Sequence, residues 1–298
     1  MIIPPYLKKG DTVALVCTAR KFTPEEAQPA IELLYQSWGL NVKLGKTIGL
    51  DNFQLGGSDE ERANDFQEML DNSEIKAIWC ARGGYGTVRI IDKIDFSNFQ
   101  NNPKWIMGFS DVTVLHSHIH NLGVATLHSI MPFSVPKADE KAKETLKKAL
   151  FGEAISYEIP NSTYNKKGKS TGTLVGGNLS ILYSLLGSNS SINTTDKILF
   201  IEDLDEYLYH VDRMMMNLKR NGYFDKIKGI IVGGMTDMHD NSIPFGRNAS
   251  EIILDITQEY NIPICFDFPA GHLSDNRALI FGKEIRFEVG EYTKVEFL

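Results

Sequence analysis

Short apolar runs alternate with stretches of helical periodicity along the first half of the chain. Thr12-Val13-Ala14-Leu15-Val16-Cys17 follows a Gly10-Asp11 turn and reads as a buried strand. Pro24 to Trp38 carries a helical repeat with Thr23 as its cap. Asn41-Val42-Lys43-Leu44 predicts a second strand, and Ser58 to Leu70 an acidic helix. Lys76-Ala77-Ile78-Trp79-Cys80 is a third strand, running into Arg82-Gly83-Gly84-Tyr85-Gly86, after which helix resumes through Val88-Arg89-Ile90-Ile91. Lys104 to Met107 is the fourth strand and Val112 to Asn121 the next helix. This alternation predicts an α/β domain on a parallel, doubly wound sheet. Sites in such sheets gather where strands end. Gly83-Gly84 and Ser110 both lie at such ends.

The texture changes between Pro136 and about Lys169, which is rich in Lys, Asn and Ser, with a helix around Lys141–Leu150. That stretch reads as a connection between two domains. Strands are predicted at Lys197–Ile201, Gly229–Gly234 and Ile264–Phe268, helices at Tyr209–Asn221 and Ala249–Tyr260, and a final hairpin from Arg277 to Phe297. The expected organisation is an N-terminal α/β domain (1–136), a linker (137–168) and a smaller β-rich α/β domain (169–298).

Composition narrows the function. Hydrophobic residues make up 42% and charged residues 23%, the balance of a globular protein with a full core. The net charge of −7, with no basic run, argues against nucleic acid as a partner. Cys17, Cys80 and Cys265 are far apart and odd in number, which suits buried reduced thiols. The N-terminus lacks the pattern of a signal peptide, and no apolar run reaches a membrane-spanning length. A cytoplasmic protein is expected.

Three strand ends carry reactive side chains. Trp105-Ile106-Met107-Gly108-Phe109-Ser110-Asp111 runs from strand to helix through a serine, half matching the nucleophile elbow of Gly-x-Ser-x-Gly hydrolases. The same Ser-Asp pair is also a common helix N-cap. Glu202 follows the apolar run Leu199-Phe200-Ile201, where a charge needs a partner. His272 is presented after Pro269-Ala270-Gly271. A loop-start carboxylate and a surface histidine are the plain alternatives. Together the three supply nucleophile, acid and base: a serine hydroxyl needs a base to take its proton, and that base needs a carboxylate to hold its other nitrogen.

These pieces identify a resemblance. With Lys9-Gly10-Asp11, Arg82-Gly83-Gly84-Tyr85-Gly86, Gly176-Gly177-Asn178-Leu179, Phe200-Ile201-Glu202-Asp203, Asp212-Arg213-Met214 and Gly271-His272, the chain resembles the LD-carboxypeptidases. That serine peptidase family includes muramoyltetrapeptide carboxypeptidase and the microcin-immunity peptidases. The resemblance implies a flavodoxin-like N-terminal domain, a β-rich C-terminal domain, a homodimer and no metal or other cofactor. It places a triad on Ser110, Glu202 and His272 and an oxyanion hole on the N–H groups of Asp111 and the Gly83-Gly84 turn. The implied substrate is murein tetrapeptide or a related small peptide, cleaved at the bond to its terminal D-amino acid. Arg82 and Arg213 are the candidate partners for its free carboxylate. Where relatives carry a Val-Gly pair after Glu-Asp, this chain has Leu204-Asp205.

Other signals point elsewhere less well. The turn at Arg82–Gly86 lacks the third glycine of a dinucleotide fingerprint, and no P-loop lysine follows. His116-Ser117-His118-Ile119-His120 evokes a metal cluster, but on a helix His118 points away from the other two. Met214-Met215-Met216 reads as core or interface filling. Two further readings stay open: a peptidase acting on a peptidyl-nucleotide antibiotic, and a non-catalytic peptide-binding module.

Overall fold

The computed structural model describes residues 1–298. Strands β1 (Thr12–Val16), β2 (Asn41–Leu44), β3 (Ile75–Cys80), β4 (Trp105–Gly108) and β5 (Thr126–His128) lie parallel in the order 2-1-3-4-5. That is the flavodoxin-like order, whose ligand crevice opens at the carboxyl ends of β1 and β3. Helices α1 (Pro24–Glu32), α2 (Asp59–Asp71) and α3 (Thr113–Asn121) connect them. Capping boxes start the first two: Thr23 with Glu26, and Ser58 with Glu61. The helical repeat expected to reach Trp38 closes as a π-turn over Leu33–Ser37. Pro29, inside α1, supplies no N–H to the helical ladder. The helix expected at Val88–Ile91 is instead two short 3₁₀ turns, Thr87–Arg89 and Ile91–Lys93. Thr87, Ile90, Ile91 and Ile94 are buried at helical spacing, so the apolar face the periodicity predicts is present, although the backbone closes it as 3₁₀ turns.

The lysine-rich stretch after residue 136 is structured. Helix α4 (Glu140–Phe151) buries Ala142, Leu146, Ala149 and Leu150, and ends on Gly152 in the left-handed conformation. Strand β6 (Ser156–Pro160) buries Tyr157 and Ile159 in alternation. It joins a second sheet with β7 (Gly168–Asn178), β8 (Lys197–Leu204), β9 (Gly229–Thr236) and β10 (Ile264–Cys265). Helices α5 (Leu179–Ser184), α6 (Leu208–Arg220) and α7 (Ala249–Thr257) pack between these strands in sequence.

The last segment divides. Strand β11 (Leu279–Phe281) pairs antiparallel with β5, extending the first sheet. Strands β12 (Glu284–Val289) and β13 (Tyr292–Phe297) form the hairpin proper, between β7 and β6. The expected hairpin from Arg277 therefore begins only at Glu284, because Leu279–Phe281 are buried against the first sheet's edge. The second sheet runs 10-9-8-7-12-13-6, parallel from β10 to β7 and antiparallel beyond. One apolar cluster holds Trp79 and Trp105 with Phe200, Phe268, Phe281 and Phe287, so the sheets share a core. That shared packing holds side chains from the two halves in fixed register.

Candidate active site

Ser110 sits where β4 gives way to α3. Gly108 has φ +148°, and a Cβ there would stand 2.8 Å from Val112, so glycine permits the sharp turn. Ser110 itself is left-handed, with φ +61°. A non-glycine residue in that region stores roughly 1–3 kcal/mol of strain. Its hydroxyl does not cap the helix. It lies 3.2 Å from His272 Nε2.

His272 arrives from the other half of the chain. Its Nδ1 is 2.6 Å from Glu202 Oε2, and its backbone N–H donates to the same oxygen at 3.2 Å. Glu202 is wholly buried on β8, while the His272 side chain keeps 17% exposure. Burial alone would lower the imidazole pKa. The charge of Glu202, its hydrogen bond and the more distant Asp203 outweigh that and leave His272 raised. The Phe109 ring packs against the imidazole with centroids 4.8 Å apart. Serine, histidine and carboxylate are thus in hydrogen-bonded sequence, which lets the imidazole take the hydroxyl proton and share the resulting charge.

Two N–H groups beside the hydroxyl are free. Neither Asp111 nor Gly84 donates its amide hydrogen to another protein group. Asp111 is held from behind, its Oδ2 accepting from the Thr87 amide at 2.8 Å. Burial raises its pKa. Gly84 adopts φ +106°, and a Cβ at neighbouring Gly83 would meet Ser110 Oγ at 3.2 Å. Behind this turn the buried Arg62 guanidinium donates to the Gly86 carbonyl at 2.9 Å. Free amides beside a nucleophile can stabilise a developing oxyanion.

The cleft over Ser110 has a volume of about 410 Å³. Arg82 reaches it, its guanidinium 4.0 Å above the Phe133 ring and 3.8 Å from Glu26. Arg213 does not. It lines a separate surface depression with Arg220 and lies 5.1 Å over Tyr209, because it points off α6 away from the strand ends. Of the helical histidines, His116 bonds the Gly108 carbonyl and Thr126, while His118 bonds Ser190. They serve different neighbours. Met214 and Met215 are buried in the core of the second half.

Several residues to which the sequence reading gave no role also converge here. Asp203 accepts from Asn178 Nδ2, the Ser180 N–H and the Leu204 N–H, each at 2.9 Å. Burial, with the Glu202 charge beside it, pushes its carboxyl up to about 7. Asn276 Oδ1 accepts the Gly271 N–H at 2.8 Å and faces His128 Nε2 at 3.1 Å. It thereby ties the loop bearing His272 to β5 of the first sheet. Arg20, exposed in the segment after β1, lines the cleft beside Gly84.

A serine held at a strand-to-helix turn and bonded to a carboxylate-anchored histidine defines a serine-type hydrolase. Comparison with known proteins narrows the class. Residues 13–129 match the LD-carboxypeptidase N-terminal domain, and residues 171–287 the LD-carboxypeptidase C-terminal domain. A probable murein peptide carboxypeptidase of Bacillus subtilis is 37% identical over 302 residues, covering 98% of this chain and 93% of the relative. The microcin C7 self-immunity protein MccF of Escherichia coli is 26% identical, over 95% of this chain and 92% of its own. The muramoyltetrapeptide carboxypeptidase structure from Oxalobacter formigenes superimposes with a TM-score of 0.87 at 23% identity, covering 96% and 98% of the two chains. The chain belongs to the LD-carboxypeptidase family and is a serine-type carboxypeptidase.

Proposed function

We propose that this carboxypeptidase hydrolyses the amide joining an L-configured centre to a terminal D-amino acid, and that its substrate is murein tetrapeptide, releasing D-alanine. The observation that carries this reading is the unbroken run from Ser110 Oγ through His272 to Glu202, at 3.2 and 2.6 Å. In it Ser110 attacks the scissile carbonyl and His272 accepts the hydroxyl proton. The Asp111 and Gly84 amides receive the oxyanion, and loss of one such donor typically costs roughly a hundred- to thousandfold in rate. His272 then protonates the departing amine of D-alanine. Water, deprotonated by His272, cleaves the acyl-enzyme and restores Ser110. Glu202 keeps the imidazole in the tautomer that presents a free Nε2 to serine.

The name of the Bacillus relative supports the substrate, which also fits a polar cleft. Within this reading the protein is a cytoplasmic homodimer acting on peptides recovered from the cell wall. A peptidyl-nucleotide substrate would need a flat aromatic surface to stack its base. Of the cleft's two phenyl rings, Phe109 is buried against His272 and Phe133 carries the Arg82 guanidinium over one face. Mass spectrometry of murein tetrapeptide incubated with wild type and with Ser110→Ala tests the proposal. Loss of one alanine with wild type alone is expected. Cleavage by both would overturn the assignment of the nucleophile, and cleavage by neither would overturn the substrate.

A further inference from the structure

The cleft has two electrically different walls. Arg20 and Arg82 flank the Gly83-Gly84 turn, while Asp203 and Asp205 stand across from them with Asn178 and Ser180. The cationic side chains that could draw a terminal carboxylate stand on the first wall. The two arginines are not equivalent. Arg82 is engaged with Phe133 and Glu26. Arg20 has no acidic side chain within ion-pairing distance. Its side chain is packed directly on Gly84, where an added Cβ would stand 2.6 Å from both its Cδ and its Nε. Glycine at position 84 thus makes room for the arginine as well as for the turn.

Covalent geometry fixes where the carboxylate must fall. In a C-terminal residue its carbon is three bonds from the scissile carbonyl carbon, so the two lie within about 4 Å. With the carbonyl oxygen on the Gly84 and Asp111 amides, a guanidinium resting on Gly84 is in reach of the carboxylate. A planar guanidinium can meet both carboxylate oxygens at once.

We infer that Arg20 is the receptor for the substrate's free terminal carboxylate, a specificity residue resting on the carboxypeptidase reading above. The leaving residue then lies on the first-sheet side of the cleft and the rest of the peptide on the side of Asp203 and Asp205. The class selected is peptides with an uncapped C-terminal carboxylate.

The test uses the full-length protein and two probes, murein tetrapeptide ending in D-alanine and the same peptide ending in D-alaninamide. Wild type is expected to favour the acid by about ten- to hundredfold in kcat/KM, the range of a charged hydrogen bond. Arg20→Met should remove that preference, through KM on the acid, while its rate on the amide moves little. Arg20→Lys should restore part of it. Arg82→Met should keep acid over amide. The inference is overturned if Arg20→Met retains the wild-type preference, if it loses equally on both probes, or if Arg82→Met is the variant that erases the preference. Failure of wild type to cleave either probe overturns the murein-tetrapeptide substrate, and this assignment with it.

Discussion

Replacing Glu202 by glutamine removes one charge and almost no volume. Two donors converge on Glu202 Oε2, the imidazole at Nδ1 and the His272 amide, and Oε1 has no partner. A glutamine whose carbonyl oxygen takes the place of Oε2 can keep both contacts. It can equally turn its NH₂ toward Nδ1, which moves the ring proton to Nε2 and leaves Ser110 without an acceptor. The imidazolium formed during attack also loses its counter-charge. A mistimed tautomer of this kind costs roughly a thousand- to ten-thousandfold in kcat. By transition-state arithmetic that is about 4–5.5 kcal/mol. The pH profile gives an independent sign. Burial lowers the pKa of His272 and Glu202 raises it, with the raising contributions ahead. Once the carboxylate is gone burial dominates, so the acidic limb of kcat/KM, where His272 must be neutral, moves to lower pH. Stability follows the same linkage. The pair stabilises the fold fully below the ordinary histidine pKa, and that contribution is lost as pH rises through the folded value. Glu202→Gln should therefore narrow its deficit against wild type as pH rises. The assay is D-alanine release from murein tetrapeptide between pH 5 and 9, about the range over which imidazole titrates. A loss below about tenfold, or an acidic limb that stays in place, would refute the role given to Glu202.

Three further outcomes are expected. Gly176→Ala sets a Cβ 1.9 Å from the Phe200 carbonyl at φ +136°, so urea unfolding should show a loss of about 2–6 kcal/mol. Gly187→Ala, at φ +79° with nothing within 4 Å, should lose only about 1–2 kcal/mol, and equal losses would show that crowding at Gly176 is not the cause. Asn276→Leu strands the Gly271 N–H and His128 Nε2 and frees the His272 loop, so kcat should fall with little change in KM. Partial recovery with Asn276→Asp would separate lost hydrogen bonding from lost packing.

Much of the first sheet was legible because β1, β3 and β4 are buried and read as nearly unbroken apolar runs, whereas the edge strand β2 is largely exposed. The place of Ser110 followed from the β4 run and its turn, while Glu202 proves to lie within β8 and His272 in the loop after β10. What the sequence concealed was pairing at a distance. Nothing local marks Leu279–Phe281 as an edge of the first sheet, since the same three residues would serve a hairpin. Helix α4 was expected around Lys141–Leu150, whereas β6 was missed because only Tyr157 and Ile159 of its five residues are buried. Asn276 and Arg20 were invisible for another reason. An asparagine in a Ser-Asp-Asn loop and an arginine before Lys21 have no local pattern that reports what they meet across the fold. Arg213 shows the converse, a residue of a recognisable motif that the helix carries away from the cleft.

Placing the nucleophile on one sheet and its base on another also sets the timing of activity. Ribosomes make Ser110 before His272, and residues that follow His272 return to the first sheet as β11. A half-made or half-folded chain has a serine with nothing to deprotonate it. The triad is assembled only when the two halves are packed on each other. A chain whose halves have not yet docked is thus a serine without its base, and a cell that builds this protein is not exposed to an unfinished hydrolase.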